Sequence, residues 1–272
     1  GTVSTGNMAA SVSAYGARHE LKTFVLVPSD IPDKKIEQIR TYEPIIIKVE
    51  GDYGDLYYES FEFGSDEIYF TNSNSPFRVE GYKTIAFEVY EKNLPDYVII
   101  PTSSGGLFRG ITKGFTELKK SGIIDEMPKF VSVQAEGCSP ICKAFESDEN
   151  EIERWSNPTT IASAISNPLP PGGNDVLRKL EEHEGICERV SDENISSAQN
   201  ELAREGVFCQ PSSAVGIAAL KKLRKEDRIE KGADVVSIIT GSGLKSEVVF
   251  DTDHAISHCE LEELETCLGK FF

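Results

Sequence analysis

Short apolar runs rich in β-branched residues alternate along this chain with longer stretches whose apolar positions recur every three or four residues. That alternation predicts an α/β protein built of βα units around largely parallel sheets, because each helix is long enough to return the chain to the sheet edge it left. Strands are expected at residues 22–27, 44–49, 67–70, 97–100, 130–134, 186–190 and 235–239. Helices are expected at 8–19, 33–42, 53–61, 79–91, 108–120, 174–183, 193–204 and 214–225. Asp33, and Ser191 or Asp192, stand where N-cap residues stand.

The stretch 146–171 carries acidic residues and two Asn-Pro steps and runs into Pro170-Pro171-Gly172-Gly173, so a mobile surface loop is expected there. A break near 75–80 divides the pattern: residues 1–78 read as part of a small domain and 79–272 as a large one. Gly1-Thr2-Val3 shows no Met start, and the first polar motif follows at once, so the N-terminus reads as an interruption.

Composition narrows the partners. The net charge is −17, from 28 basic and 45 acidic residues, and no basic stripe is present, which argues against nucleic acid and anionic membranes. A small anionic substrate stays compatible, since salt screens the distant negative field within ~10 Å. The longest apolar runs, such as Ile45-Ile46-Ile47, fall far short of the ~20 residues a bilayer requires, so no membrane span is expected. Cys138, Cys142, Cys187, Cys209, Cys259 and Cys267 form no CxxC pair and follow no secretory leader; reduced thiols in a cytoplasmic setting are expected. Cys138 and Cys142 are read as packing residues, and His254, His258 and Cys259 as a solvated face, so no metal site is expected.

Four polar segments fall at strand ends or helix starts, where open α/β sheets hold their ligands. Ser4-Thr5-Gly6-Asn7 could aim backbone N–H groups at an anion such as a carboxylate, or be an ordinary helix cap. Asn72-Ser73-Asn74-Ser75-Pro76-Phe77-Arg78 could clamp a phosphate or carboxylate, or be a polar turn before a helix begun at Pro76. Thr102-Ser103-Ser104-Gly105-Gly106-Leu107 follows a strand and opens a helix, the arrangement of a phosphate cradle, without the spacing of dinucleotide or nucleoside-triphosphate loops. Thr240-Gly241-Ser242-Gly243-Leu244-Lys245 puts a hydroxyl at a strand end, suited to a neutral ring nitrogen.

In order and spacing these segments, the continuation Val79-Glu80-Gly81-Tyr82-Lys83-Thr84 and the run Gln210-Pro211-Ser212-Ser213-Ala214 resemble the threonine synthase family of the fold-type-II pyridoxal-phosphate enzymes. The resemblance covers nearly the whole chain. It implies two three-layer αβα domains, the small one for substrate and the large one for cofactor. It implies pyridoxal 5′-phosphate as cofactor, O-phospho-L-homoserine as substrate, L-threonine and phosphate as products, and a homodimer. Asn7 would meet the cofactor's phenolic oxygen, Ser103, Ser104, Gly105, Gly106 and Leu107 its phosphate, and Thr240 its ring nitrogen. Ser4, Thr5 and Gly6 would take the substrate carboxylate, and Asn72, Ser73 and Arg78 its phosphate. Family members often carry Gly-Asn-Ala-Gly-Asn at 103–107, so this loop lacks the family's asparagine contact to the substrate phosphate. The family's Schiff-base lysine precedes the Ser-Thr-Gly-Asn motif and is expected upstream of Gly1; Lys22, Lys34, Lys35 and Lys83 are read as surface lysines. The rival expectations are a serine or threonine dehydratase-like lyase of the same fold, and a noncatalytic ligand-binding homologue without the lysine.

Overall fold

A computed structural model of the protein describes all residues except 32, 52, 64–67, 246–257 and 272, and not the side chains at 34, 35, 53, 54, 61 and 271. Two parallel sheets organise it. The smaller runs β1 (Thr2–Val3), β2 (Phe24–Pro28), β3 (Ile45–Val49), with α1 (Asn7–Arg18) and α2 (Asp33–Arg40) as crossovers and α3 (Tyr53–Glu62) after β3. Successive strand residues face opposite ways. Val25 and Val27 therefore pack with Ala9, Ala10, Ile36 and Ile39 on one face, while Leu26 joins Val3, Leu56 and Tyr57 on the other.

Helices α4 (Pro76–Tyr82) and α5 (Thr84–Lys92) lead into the larger sheet, whose order is β6-β5-β4-β7. Its strands are β4 (Tyr97–Pro101), β5 (Lys129–Ala135), β6 (Ile186–Val190) and β7 (Val235–Ser237), all parallel. Around it lie α6 (Gly106–Lys120), α7 (Pro140–Glu146), α8 (Gly173–Glu182), α9 (Asp192–Arg204) and α10 (Pro211–Lys225); α11 (Leu264–Leu268) follows near the C-terminus. Tyr97 and Ile99 pack with Val215 and Ala219 of α10, and Val98 and Ile100 with Phe108, Ile111 and Phe115 of α6. Both sheets thus have apolar cores on both faces, which is why their strands read as continuous apolar runs.

Helix α6 meets the preceding chain along Gly106, Gly110 and Gly114, a stripe of four-residue spacing. A Cβ on Gly110 would lie 2.3 Å from Tyr82 Cβ, and one on Gly114 2.5 Å from the Lys83 carbonyl oxygen and 2.6 Å from Ala86 Cβ. The expected helix at 79–91 is therefore two helices joined at Lys83, where the backbone presses on Gly114; Thr84 Oγ1 donates to the Gly81 carbonyl across the joint at 3.0 Å.

Four further differences from the sequence reading have physical causes. Residues 68–70 of the expected strand at 67–70 carry no strand, and Glu67 lies outside the described residues. Instead Gly1 N donates to Tyr69 O at 2.7 Å and Thr71 N to Gly1 O at 2.8 Å, which ties the segment to the chain's start. β1 and α7 are too short to leave a periodic signal. The second half of the expected surface loop is packed: Ala162 and Ile165 join the core beside α10, Asp192 accepts from Thr160 Oγ1 and Ile161 N, and Ser212 Oγ accepts from Ala164 N at 3.1 Å. Finally, Cys142 and Cys187 are joined as a disulfide rather than left as thiols, because α7 packs against β6 with the two Cα atoms 5.2 Å apart; a sequence separation of 45 hid the pairing.

Gly110→Ala should lower stability to urea by about 1–3 kcal/mol, since the added methyl has backbone and Tyr82 Cβ in its place. Gly81→Ala, whose Cβ meets nothing within 4 Å, should instead leave stability unchanged or raise it by up to about 1 kcal/mol.

Candidate active site

One cavity of about 1840 Å³ opens between the two sheets, larger than the roughly 300–1,000 Å³ that encloses a single drug-sized ligand. Segments that lie far apart in sequence line it: Ser4, Thr5, Gly6 and Asn7; Ser73 and Arg78; Ser103, Ser104, Gly105, Gly106 and Leu107; and Thr240. Helices α1 and α6 are among those that start at this cavity with no side chain capping their first turns. Gly6 stands at the start of α1 and Gly105 at the start of α6, so first-turn N–H groups are left for a ligand.

The loop before α6 needs glycine. Gly105 has φ 89°, and a Cβ there would lie 2.9 Å from both Gly172 O and Val176 Cγ2. Gly172 N donates to Ser104 O at 2.9 Å, and Arg109 holds Asp175 of α8 at 2.7 Å. The Pro-Gly stretch read as a surface loop is thus the backing that fixes this cradle.

At the α1 start, Ser4 Oγ accepts from Gly6 N at 3.3 Å, while Asn7 Nδ2 donates one hydrogen to Gln210 Oε1 at 2.8 Å and keeps a second for another acceptor. Beside this pair, buried Ser213 Oγ accepts from Thr240 N at 3.2 Å and Gly241 N at 2.9 Å, and lies 2.9 Å from Thr240 Oγ1. The single Ser213 hydroxyl hydrogen serves Thr240 Oγ1 and the Gly241 carbonyl oxygen, the latter at 3.3 Å. Gln210 and Ser213 are the functional neighbours that motif reasoning undervalued. The signal was present in their place just before and within the first turn of a helix begun at Pro211.

In the segment 72–78, Ser73 Oγ donates to Tyr57 Oη at 3.1 Å, and Tyr57 donates to Asn74 Oδ1 at 3.2 Å. Burial pushes the Tyr57 phenol above its ordinary value, so it remains a protonated donor at neutral pH. Arg78 donates through Nη2 to Tyr82 Oη; its Nη1 is buried with no partner among the described residues. Asn72 is different. It is fully buried outside the cavity lining, where its oxygen accepts from Val3 N at 2.9 Å and its nitrogen donates to Ser60 Oγ at 2.7 Å, so it tethers β1 to this loop.

Among the lysines singled out, Lys83 bonds Glu80 at 2.7 Å and Glu117 at 3.0 Å, Lys22 lies at the cavity wall, and the side chains of Lys34 and Lys35 are outside the described residues. Lys245 also lines the cavity. Among the described residues no group of three or more His, Cys, Asp or Glu gathers to hold a metal, and His254 lies outside them. None of the described helices is long and apolar enough to cross a membrane.

Residues 1–241 match the family described as "Pyridoxal-phosphate dependent enzyme". This chain belongs to that family. Its cofactor brings a phosphate, a phenolic oxygen and a ring nitrogen, and the residues present fit these groups. The cradle at 103–107 supplies uncapped N–H groups at a glycine where a Cβ would collide, Asn7 a spare amide hydrogen, and Thr240 a hydroxyl.

Among relatives, the threonine synthase of Methanocaldococcus jannaschii is 41% identical over 266 residues, 96% of this chain and 64% of that protein. The threonine synthase of Methanosarcina acetivorans is 36% identical over 263 residues, 94% of this chain and 64% of that protein. The chain thus spans under two thirds of the length of these relatives. Among solved structures, the processed form of threonine deaminase isoform 2 from Solanum lycopersicum superposes with a TM-score of 0.75 at 20% identity, covering 98% of this chain and 68% of that one. Maize serine racemase gives 0.71 at 21% identity, covering 99% and 76%. At such identities the likeness speaks for the fold alone.

Asn72→Ala should cost about 1–3 kcal/mol in urea unfolding, because it removes two buried hydrogen bonds, the acceptor for Val3 N and the donor to Ser60 Oγ. Ser73→Ala, which removes one hydroxyl from the cavity wall, should cost less than about 1 kcal/mol in the same measurement.

Proposed function

We propose that this chain carries the binding machinery of a threonine synthase, which turns O-phospho-L-homoserine and water into L-threonine and phosphate. The observation that supports it most directly is that one cavity is lined by two groups suited to anions. One is the uncapped loop at 103–107; the other is Arg78 with its unpaired Nη1. A cofactor phosphate and a substrate phosphate need two such sites, whereas a hydroxy amino acid needs only one beyond its carboxylate. The resemblance to relatives named threonine synthase, at 41% and 36% identity, points the same way.

In this reading Ser103, Ser104, Gly105, Gly106 and Leu107 hold the cofactor phosphate, Asn7 donates to its phenolic oxygen and Thr240 to its ring nitrogen. Ser4, Thr5 and Gly6 receive the substrate carboxylate at the start of α1, where backbone N–H groups favour negative charge. Arg78 and Ser73 receive the substrate phosphate, with Asn72 fixing their loop from behind. Bound pyridoxal phosphate supplies the electron sink for carbanions at the substrate's α and β carbons. The chain's own contribution is orientation: it fixes both phosphates, and so the line between the substrate's α carbon and its leaving group. We place the substrate-binding unit at 1–78 and the cofactor-binding unit at 79–272. The charge of −17 suits a small-molecule substrate held by local donors, and not a nucleic acid.

Calorimetry in the presence of pyridoxal phosphate tests the assignment. O-phosphohomoserine should bind the chain, and Arg78→Ala should weaken it roughly ten- to hundredfold. L-serine and L-threonine should bind more weakly and without regard to Arg78. Equal binding of all three, insensitive to Arg78→Ala, would instead select the dehydratase-like reading.

A further inference from the structure

We propose that Tyr82 is the positioning residue for Arg78, holding its guanidinium at the cavity wall in an orientation that leaves Nη1 without a partner among the described residues. The inference rests on the anion-binding role proposed above for Arg78. Tyr82 follows Arg78 by four residues on α4, the spacing that brings side chains together on one helix face. Its phenol oxygen accepts from Arg78 Nη2, and the guanidinium carbon lies 5.3 Å from the ring centroid.

The tyrosine is itself held. Gly106 and Gly110 of α6 leave the space it fills: a Cβ on Gly106 would stand 3.4 Å from Tyr82 Cε2, and one on Gly110 2.3 Å from Tyr82 Cβ. An arginine on a solvated helix samples many rotamers and loses that freedom when it binds. One already fixed by a rigid aromatic partner loses less, which raises its affinity for an anion. Packing alone would explain the ring but not the phenol oxygen, which bonds the one cation of this segment that lines the cavity. Because Gly106 belongs both to the cradle and to the seat of Tyr82, the loop for one phosphate also sets where the other is met.

Arginine labelling with phenylglyoxal on the whole chain, read peptide by peptide by mass spectrometry, tests this with and without inorganic phosphate. In the unmodified chain Arg78 should react slowly, and phosphate should slow it further. Tyr82→Phe, which removes only the hydroxyl, should speed labelling of Arg78 about threefold and raise the phosphate concentration for half-protection by a similar factor. Tyr82→Leu should speed it about tenfold. Exposed Arg204 of α9 should react equally in all forms and serves as the reference for folding. Arg78 labelling in Tyr82→Phe and Tyr82→Leu equal to that of the unmodified chain, with Arg204 constant, would overturn the inference. Absence of phosphate protection in the unmodified chain would sink the anion role of Arg78, while the comparison of labelling rates still decides whether Tyr82 holds it. If Tyr82→Leu unmasks every arginine, the conservative phenylalanine variant decides.

Discussion

The close approach of α6 to α4 and α5 along Gly106, Gly110 and Gly114 is the contact on which the site depends. Side chains at these positions would push the helices apart, and everything that α4 carries would move with it. Arg78 stands on α4, the cradle at 103–107 opens α6, and the joint at Lys83 lies between them. The distance between Arg78 and the loop at 103–107 is thereby set by backbone packing rather than by flexible side chains. Such packing transmits displacement because protein interiors are dense and yield little.

A second set of constraints comes from polar groups that hold cavity-lining residues in place. Gln210 orients Asn7, Ser213 orients Thr240, and Gly172 braces Ser104. Each fixes a group that lines the cavity, and each comes from an element distant in sequence from the residue it serves. The cavity is therefore walled by groups whose hydrogen-bonding capacity is partly spent on one another and partly unspent among the described residues, as at buried Arg78 Nη1. Preorganisation of this kind lowers the cost of binding because the donors do not have to be gathered when the ligand arrives.

Much of the fold was legible because strands covered on both faces leave continuous apolar runs, and the helices between them keep a strong period. β4, β5 and β6 fall within one or two residues of expectation, whereas β1, with two residues, had no run to read. The helix expected at 79–91 carried the right periodicity but not its break, since the cause is Gly114 on another helix. The site's segments were legible as polar interruptions at strand ends, and the structure gathers them at one cavity. What could not be read was which of their atoms remain available. Asn72 looks like Ser73 in sequence, yet its amide is spent on Val3 and Ser60. The pairing of Cys142 with Cys187, and the packed half of the Pro-rich stretch, likewise depend on tertiary neighbours that no local pattern reports.

The hydrogen bond from Asn7 to Gln210 joins positions separated by 203 residues. At ribosomal rates of about 5–20 residues per second, the two partners leave the ribosome about 10 to 40 s apart. During that interval α1 has formed its own local turns but has nothing to hold its amide. The cavity is thus among the last things this chain completes, and a nascent chain stopped before α10 would have both sheets begun and no site between them.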